Sequence, residues 1–220
     1  MLDDDARRAE LIRDAEANLP PFDWNGVFVL TEDRVDYSAD PRDSVAAQLQ
    51  EGESVPAAFV RISRATRGRA LFNFPFLNQR MDAVEELLDH PSMLVGLGDS
   101  GAHVGLIMDA SLPTWFLAHW VRDRERFAIE EAVRRLTSDT ADLFGIADRG
   151  RIASGAFADV NVVDLGALAL PIPEYVHDFP AQAGRYVQRS SGYRCTLVNG
   201  RVFVEDGTPQ GEHAGVTLRA

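Results

Sequence analysis

An apolar run that ends in a carboxylate constrains the fold of this chain more than any other feature. The run extends from Met93 to Gly98, and Asp99 follows it directly. Apolar runs of this length, bounded by turn residues, are typical of strands buried on both faces, and such strands belong to parallel sheets covered by helices. Asp99 then lies at the C-terminal end of a strand, the edge at which α/β sheets and barrels carry their chemistry. The alternative is that Asp99 only caps a turn, where Asp, Ser and Gly are common.

Length and charge exclude several classes of function. The chain has 220 residues and is 45% hydrophobic, which is enough to bury a substantial core. Its formal net charge of -12 opposes nucleic-acid binding, because affinity for phosphates depends on clustered Lys and Arg. No apolar stretch approaches the roughly 20 residues of a membrane span, and the first residues are acidic where a secretory signal would be basic. We therefore expect a cytoplasmic protein, not bound to membranes, whose partners are small molecules or other proteins.

The residue types present exclude further chemistries. The chain has no lysine, which removes both a Schiff-base lysine and a lysine carbamate that bridges two metals. Cys195 is the single cysteine, so neither an intramolecular disulfide nor a cysteine cluster for zinc or iron-sulfur can form. It stands in a predicted strand, where we expect it to act as a small buried hydrophobe.

The order of predicted elements divides the chain near Asp148. Helices are predicted at 3–18, 43–50, 55–61, 81–89, 114–122 and 129–136, and strands at 27–30, 70–76 and 93–98. Strands and helices that alternate with short connections indicate a parallel sheet or barrel. Beyond Asp148 the pattern changes to strands punctuated by turns, and Asn199-Gly200 between two apolar runs predicts a hairpin. We therefore predict two domains, residues 1–148 and 149–220.

Three motifs in the second half of the chain carry a family resemblance. They are the segment from Gly96 to His103, the long segment from Glu130 to Asp159, and the hairpin from Val198 to Val202 with its Gly-containing tail. In this order they resemble the C-terminal portion of metal-dependent amidohydrolases, especially the N-acyl-D-amino-acid deacylase (D-aminoacylase) branch. The resemblance covers most of the chain and is strong from Pro91 onward.

The resemblance implies an architecture and a reaction. Residues 1–148 are expected to form the last strands and helices of a (β/α)₈ barrel in an α/β fold, and residues 149–220 the C-terminal strands of a small β-sandwich. One or two divalent metals, zinc above all, are expected at the strand ends. The reaction is hydrolysis of the amide bond of N-acyl amino acids, of D configuration, by metal-activated water. Asp99 matches the aspartate that accepts a proton from this water, and Ser100, Gly101 and His103 are candidate substrate-binding residues.

Most metal ligands of the family have no counterpart in this sequence. Family members use a His-x-His pair near the N-terminus and histidines on middle strands, and the deacylases add a cysteine. This chain has five histidines without a His-x-His pair, and Cys195 lies in the wrong region. Asp99 alone is at most a weak metal ligand, because a zinc site needs three or four protein ligands. We therefore expect a C-terminal fragment that is inactive alone and pairs with a complementing N-terminal segment or with copies of itself.

Other side chains, and other functions, offer alternatives to this interpretation. We expect His119, beside Trp115 and Trp120 on a helix, to be a packing or surface residue. Arg122 and Arg124 either contact a substrate carboxylate or are solvated residues at a helix end. Cyclic amides of the hydantoin and dihydropyrimidine kind are alternative substrates, and a non-catalytic remnant or interaction module is an alternative function. Gly98 to Gly101 also matches the nucleophile signature of trypsin-like serine proteases, with Ser100 as nucleophile. The alternation of helices and strands argues against that class.

Overall fold

The computed structural model describes residues 3–21, 23–30, 37, 40–75, 77–106, 110–211 and 213–218. The chain divides into two compact units, Met1–Leu87 and Leu88–Ala220. The domain boundary near Asp148 that the sequence suggests is a different division, and it stays a prediction. No helix among the described residues combines the length and the apolar character that crossing a membrane requires.

Helices and strands alternate only in part. The helices are α1 (Asp5–Ala17), α2 (Val55–Ala65), α3 (Met81–Asp89), α4 (Leu112–Trp115), a π-helix (Phe116–Asp123), α5 (Ile129–Leu136) and α6 (Ser138–Leu143), with 3₁₀ turns at Trp24–Gly26, Pro41–Asp43, Ala46–Gln48, Leu165–Ala167 and Pro180–Gln182. The strands are β1 (Phe28–Leu30), β2 (Leu71–Asn73), β3 (Val160–Val163), β4 (Glu174–Val176), β5 (Arg185–Val187), β6 (Tyr193–Val198), β7 (Arg201–Glu205) and β8 (Thr208–Pro209).

The first unit is organised by α2 and a two-stranded antiparallel sheet. The side chain of Ser54 caps α2 by accepting from the Ala57 amide, and a proline stands in its first turn, where a missing amide costs nothing. Strand β1 pairs with β2, with Val29 opposite Phe72. The ring of Phe59 in α2 packs on that of Phe72 in β2, with centroids 4.3 Å apart. The buried core beside them consists of Val27, Val29, Val45, Ala58 and Ile62.

The second unit joins a helical part to antiparallel sheets. Strands β3, β6, β7 and β8 form a four-stranded sheet in the order β3-β6-β7-β8, and β4 pairs with β5 separately. The turn between β6 and β7 has positive φ at Asn199 (49°) and at Gly200 (76°), the backbone that a two-residue hairpin of this kind requires. The hairpin predicted at Asn199-Gly200 is therefore confirmed.

Aromatic side chains form the core of the helical part. Trp120 is 1% exposed, and Phe116 stacks on Phe127 with ring centroids 5.8 Å apart. The guanidinium of Arg135 lies 4.7 Å from the centre of the Phe127 ring and donates to the Leu88 carbonyl. The helix predicted at 129–136 is observed with the predicted bounds.

The strand predicted at Met93–Gly98 is wrong for this structure. The segment is irregular, and Leu97 is 97% exposed. An apolar run forms a strand only where a neighbouring strand bonds its amides and carbonyls and other elements cover its side chains. Among the described residues no strand lies beside this segment, and every strand pair is antiparallel.

The strand predicted at 70–76 is shorter than expected and only partly buried, covering Leu71–Asn73; Phe76 lies outside the described residues. The chain thus contains the helices and strands of an α/β protein. The parallel barrel and the sandwich stay predictions.

Candidate active site

The loop that follows the apolar run brings the predicted site residues together. Asp99, Ser100, Gly101 and His103 are all exposed. The Ala102 amide donates to the Asp99 carbonyl over 3.3 Å, which folds the segment into a turn. The carboxylate of Asp99 is therefore open to solvent.

The backbone of this loop is held in an uncommon conformation. Gly101 has φ of 92° and His103 has φ of 49°, both in the left-handed region that glycine adopts freely and other residues adopt rarely. The Leu106 amide donates to the His103 carbonyl over 2.7 Å, so a second turn follows the first.

A main-chain hydrogen bond connects this loop to the strands of the same unit. The Tyr186 amide of β5 donates to the Val104 carbonyl over 3.0 Å. Sequence reasoning missed β4 and β5. The signal was present as two runs of β-favouring residues, Tyr175-Val176 and Tyr186-Val187, separated by a segment with proline and glycine.

The described residues do not by themselves form a metal site. Among them, no group of three or more His, Cys, Asp or Glu side chains is placed to hold a metal ion. A zinc site requires three or four protein ligands, so Asp99 and its neighbours do not fit zinc without residues from elsewhere. The assignment of Asp99 as a metal ligand stays a prediction.

Other candidate residues have structural roles. His119 is 7% exposed and its ring stacks on Trp115, with centroids 4.4 Å apart, as expected for a packing residue. The guanidinium of Arg122 pairs with Asp123 and donates to the Leu168 carbonyl. The hydrogen bond to Asp123 raises the pKa of Arg122 above its ordinary value. Arg122 therefore ties the π-helix to the segment that contains Leu168, and a contact with a substrate carboxylate stays a prediction.

Cys195 lies in β6 opposite Val162 of β3 and is half-buried with a free thiol. The strand predicted for it is confirmed, whereas full burial is not observed. Its neighbours in the four-stranded sheet are remote in sequence from the loop of Asp99.

The sequence was compared with known protein families and proteins. It matches the Amidohydrolase family over residues 1–204. The chain belongs to the Amidohydrolase family. The family predicted from the motifs around Asp99, Arg149 and Asn199 is therefore confirmed.

Relatives of this chain have different activities. A D-aminoacylase of Alcaligenes xylosoxydans xylosoxydans is 35% identical over 46% of this chain and 19% of its own length. An N-acyl-D-glutamate deacylase of the same organism is 39% identical over 44% of this chain and 18% of its own. A 5-methylthioadenosine/S-adenosylhomocysteine deaminase of Natronomonas pharaonis is 31% identical over 70% of this chain and 36% of its own.

A solved N-acyl-D-glutamate deacylase from Bordetella bronchiseptica, complexed with zinc and a phosphonate inhibitor, is 25% identical with a TM-score of 0.42, over 90% of this chain and 38% of its own. This chain thus matches well under half of the length of each of these amidohydrolase relatives.

Proposed function

We propose that this chain is part of a hydrolase that cleaves the amide bond of N-acyl amino acids of D configuration. The observation that carries the proposal is the match to the Amidohydrolase family over residues 1–204. Similarity to a D-aminoacylase and to an N-acyl-D-glutamate deacylase supports the substrate class.

Asp99 is the proposed proton acceptor. Its carboxylate is exposed at a tight turn, where attacking water and the scissile amide can reach it. A positioned carboxylate that takes a proton from water and passes it to the leaving amine performs general acid–base catalysis. The exposed Ser100 hydroxyl, the Gly101 amide and the His103 imidazole are the proposed donors that hold the substrate.

A divalent metal, zinc above all, belongs to the proposal, and most of its ligands are proposed to lie outside the described residues. The metal site must be completed by other residues, because Asp99 cannot supply three or four ligands. We therefore propose that the 220-residue chain alone is inactive and works with a complementing polypeptide or with further copies of itself, inside the cell.

A second candidate function rests on a specific match. The methylthioadenosine/S-adenosylhomocysteine deaminase covers 70% of this chain, more than either deacylase does. Hydrolytic deamination also breaks a carbon–nitrogen bond: water forms a new carbon–oxygen bond and ammonia leaves. A carboxylate in the position of Asp99 can therefore transfer protons in either reaction. The two candidates differ in substrate and are separated by assay.

The test compares the 220-residue chain alone with the same chain co-expressed with the polypeptide encoded immediately upstream. Each preparation is assayed with and without zinc on N-acyl-D-amino acids, their L counterparts, hydantoins and 5-methylthioadenosine. We expect hydrolysis of the D substrates by the co-expressed pair only. Turnover of hydantoins alone, or of methylthioadenosine alone, contradicts the deacylase proposal, and no turnover of any substrate supports a non-catalytic remnant. Labelling of Ser100 by a fluorophosphonate would revive a serine hydrolase.

A further inference from the structure

The hairpin formed by β4 and β5 is tightly built for so short an element. Asp178 accepts two hydrogen bonds from Arg185 across the hairpin, at 2.8 and 2.7 Å. His177 bonds through Nδ1 to the Gln182 carbonyl over 2.9 Å, which closes the turn. A bidentate arginine–carboxylate pair fixes orientation as well as distance, so both strand ends are held together.

Close packing of an aromatic ring on a glycine holds the middle of the hairpin. Tyr175 and Tyr186 lie opposite each other in the ladder, with rings edge to face and centroids 4.9 Å apart. A Cβ atom placed on Gly184 would lie 2.3 Å from Cε1 of Tyr175, so the ring rests directly against the glycine backbone. These contacts give the hairpin one defined shape.

The hairpin holds the loop of Asp99 by a bond that its own ladder does not use. The Tyr186 amide donates outward, to the Val104 carbonyl, over 3.0 Å. Between Asp99 and Val104 the chain is folded by the bond from the Ala102 amide to the Asp99 carbonyl. A shift at Val104 is therefore passed to Asp99 through a short, folded segment.

We propose that the β4–β5 hairpin positions the loop of Asp99, with the main-chain amide of Tyr186 as the positioning group. The hydrogen bond from the Tyr186 amide to the Val104 carbonyl, called the tether below, is observed in the structure and does not depend on the proposed function. Its consequence for catalysis rests on the proposed function, in which Asp99 accepts a proton.

The test uses two substitutions at one position. Tyr186→Pro removes both the amide donor and the ring, and proline is accepted at a strand edge whose amide faces away from the partner strand. Tyr186→Ala removes the ring and keeps the donor. Hydrogen exchange on the 220-residue chain then measures the exchange rates of the Ala102 and Leu106 amides of the loop.

We expect these amides to exchange about twofold to tenfold faster in Tyr186→Pro than in Tyr186→Ala, the range of one net hydrogen bond. The amides of the β6–β7 hairpin in the same unit report whether each variant is folded. Arg185→Gln, which weakens the hairpin without touching the tether, should also raise exchange in the loop. Equal exchange in the proline and alanine variants, with β6–β7 still protected, overturns the proposal, as does unchanged exchange in Arg185→Gln.

A second readout separates this inference from the proposed function. In the co-expressed enzyme, Tyr186→Pro should lower kcat about tenfold relative to Tyr186→Ala with little change in KM, because a displaced base impairs proton transfer more than binding. If no preparation hydrolyses an acylated amino acid while the exchange difference is observed, the proposed function fails and the positioning stands. Equal kcat values in active preparations overturn the catalytic consequence.

Discussion

The carboxylate of Glu53 accepts hydrogen bonds from both Nε and Nη2 of Arg61, each 2.8 Å long. Nη2 of Arg61 also donates to the Gln48 carbonyl over 2.8 Å, so the pair joins α2 to the segment that precedes it. The side chain of Glu53 is 12% exposed, and the hydrogen bonds from Arg61 hold its pKa at about 2. This pair is the best-sheltered ion pair of the first unit for which both partners are described, and its energetic role can be measured.

Arg61→Gln should destabilise the first unit by about 1–2 kcal/mol, because it removes charge-assisted hydrogen bonds at a partly buried site. The matched control is Arg80→Gln, in which the lost partner Asp82 is 68% exposed, and its cost should be much smaller than that of Arg61→Gln because solvent screens the pair. Urea unfolding of both variants measures the difference. Equal losses of unfolding free energy in the two variants would show that the burial of Glu53 does not strengthen its ion pair.

Acid should remove the stabilisation that Glu53 provides. The folded pKa of Glu53 is about 2 and its ordinary value is 4.5, so below pH 4.5 the unfolded chain binds a proton that the folded chain does not. The contribution is complete above about pH 5 and is lost as the pH falls toward 2. The difference in urea midpoint between wild type and Glu53→Gln should shrink over this range. A difference that is constant from pH 7 to 3 contradicts the assignment.

Gly192 lies against the backbone of Leu168 and should not tolerate a side chain. A Cβ atom there would lie 2.7 Å from the Leu168 nitrogen, and φ at Gly192 is 91°. Gly207 has φ of 76° with no heavy atom within 4 Å of an added Cβ, so Gly207→Ala measures the backbone cost alone. Gly192→Ala should be less stable than this control by about 1–3 kcal/mol, the usual cost of overpacking. Thermal melts of the two variants compare them directly.

Asp99→Asn should abolish most turnover of the co-expressed enzyme, because general acid–base catalysis contributes about 10²- to 10⁴-fold. Metal content should stay nearly unchanged. Asp148→Asn, which changes another exposed aspartate, is the matched control and should leave kcat as it is. Retention of more than about a tenth of wild-type turnover by Asp99→Asn excludes Asp99 as the acid–base group.

The isolated chain should associate with itself, because large apolar side chains stand in solvent around the Asp99 loop. Leu97 is 97% and Leu106 is 83% exposed. Exposed apolar surface and two-stranded sheets with open edges recruit other chains. Light scattering should show oligomers that decrease when both leucines are changed to Gln, while Val216→Gln, remote in sequence, should have little effect. A compact monomer at high concentration contradicts this expectation.

Local patterns in the sequence were sufficient for many elements. The periodic stripes of α3 and α5 and the turn chemistry at Asn199-Gly200 gave elements close to those observed, because caps, periodicity and φ preferences act within a few residues. The motif around Asp99 likewise identified the family.

The remaining features of the fold depend on contacts between residues that are remote in sequence. The run from Met93 to Gly98 has the composition of a buried strand, yet it is irregular, since strand formation depends on a partner that supplies hydrogen bonds across space. The same reason hides the tether from Tyr186 to Val104, which joins residues far apart in sequence. The family, and Asp99 as its candidate carboxylate, could be predicted from the sequence alone. The exposure of Asp99 and the pairing of segments depend on tertiary contacts, and these contacts therefore determine what holds the loop of Asp99 in place.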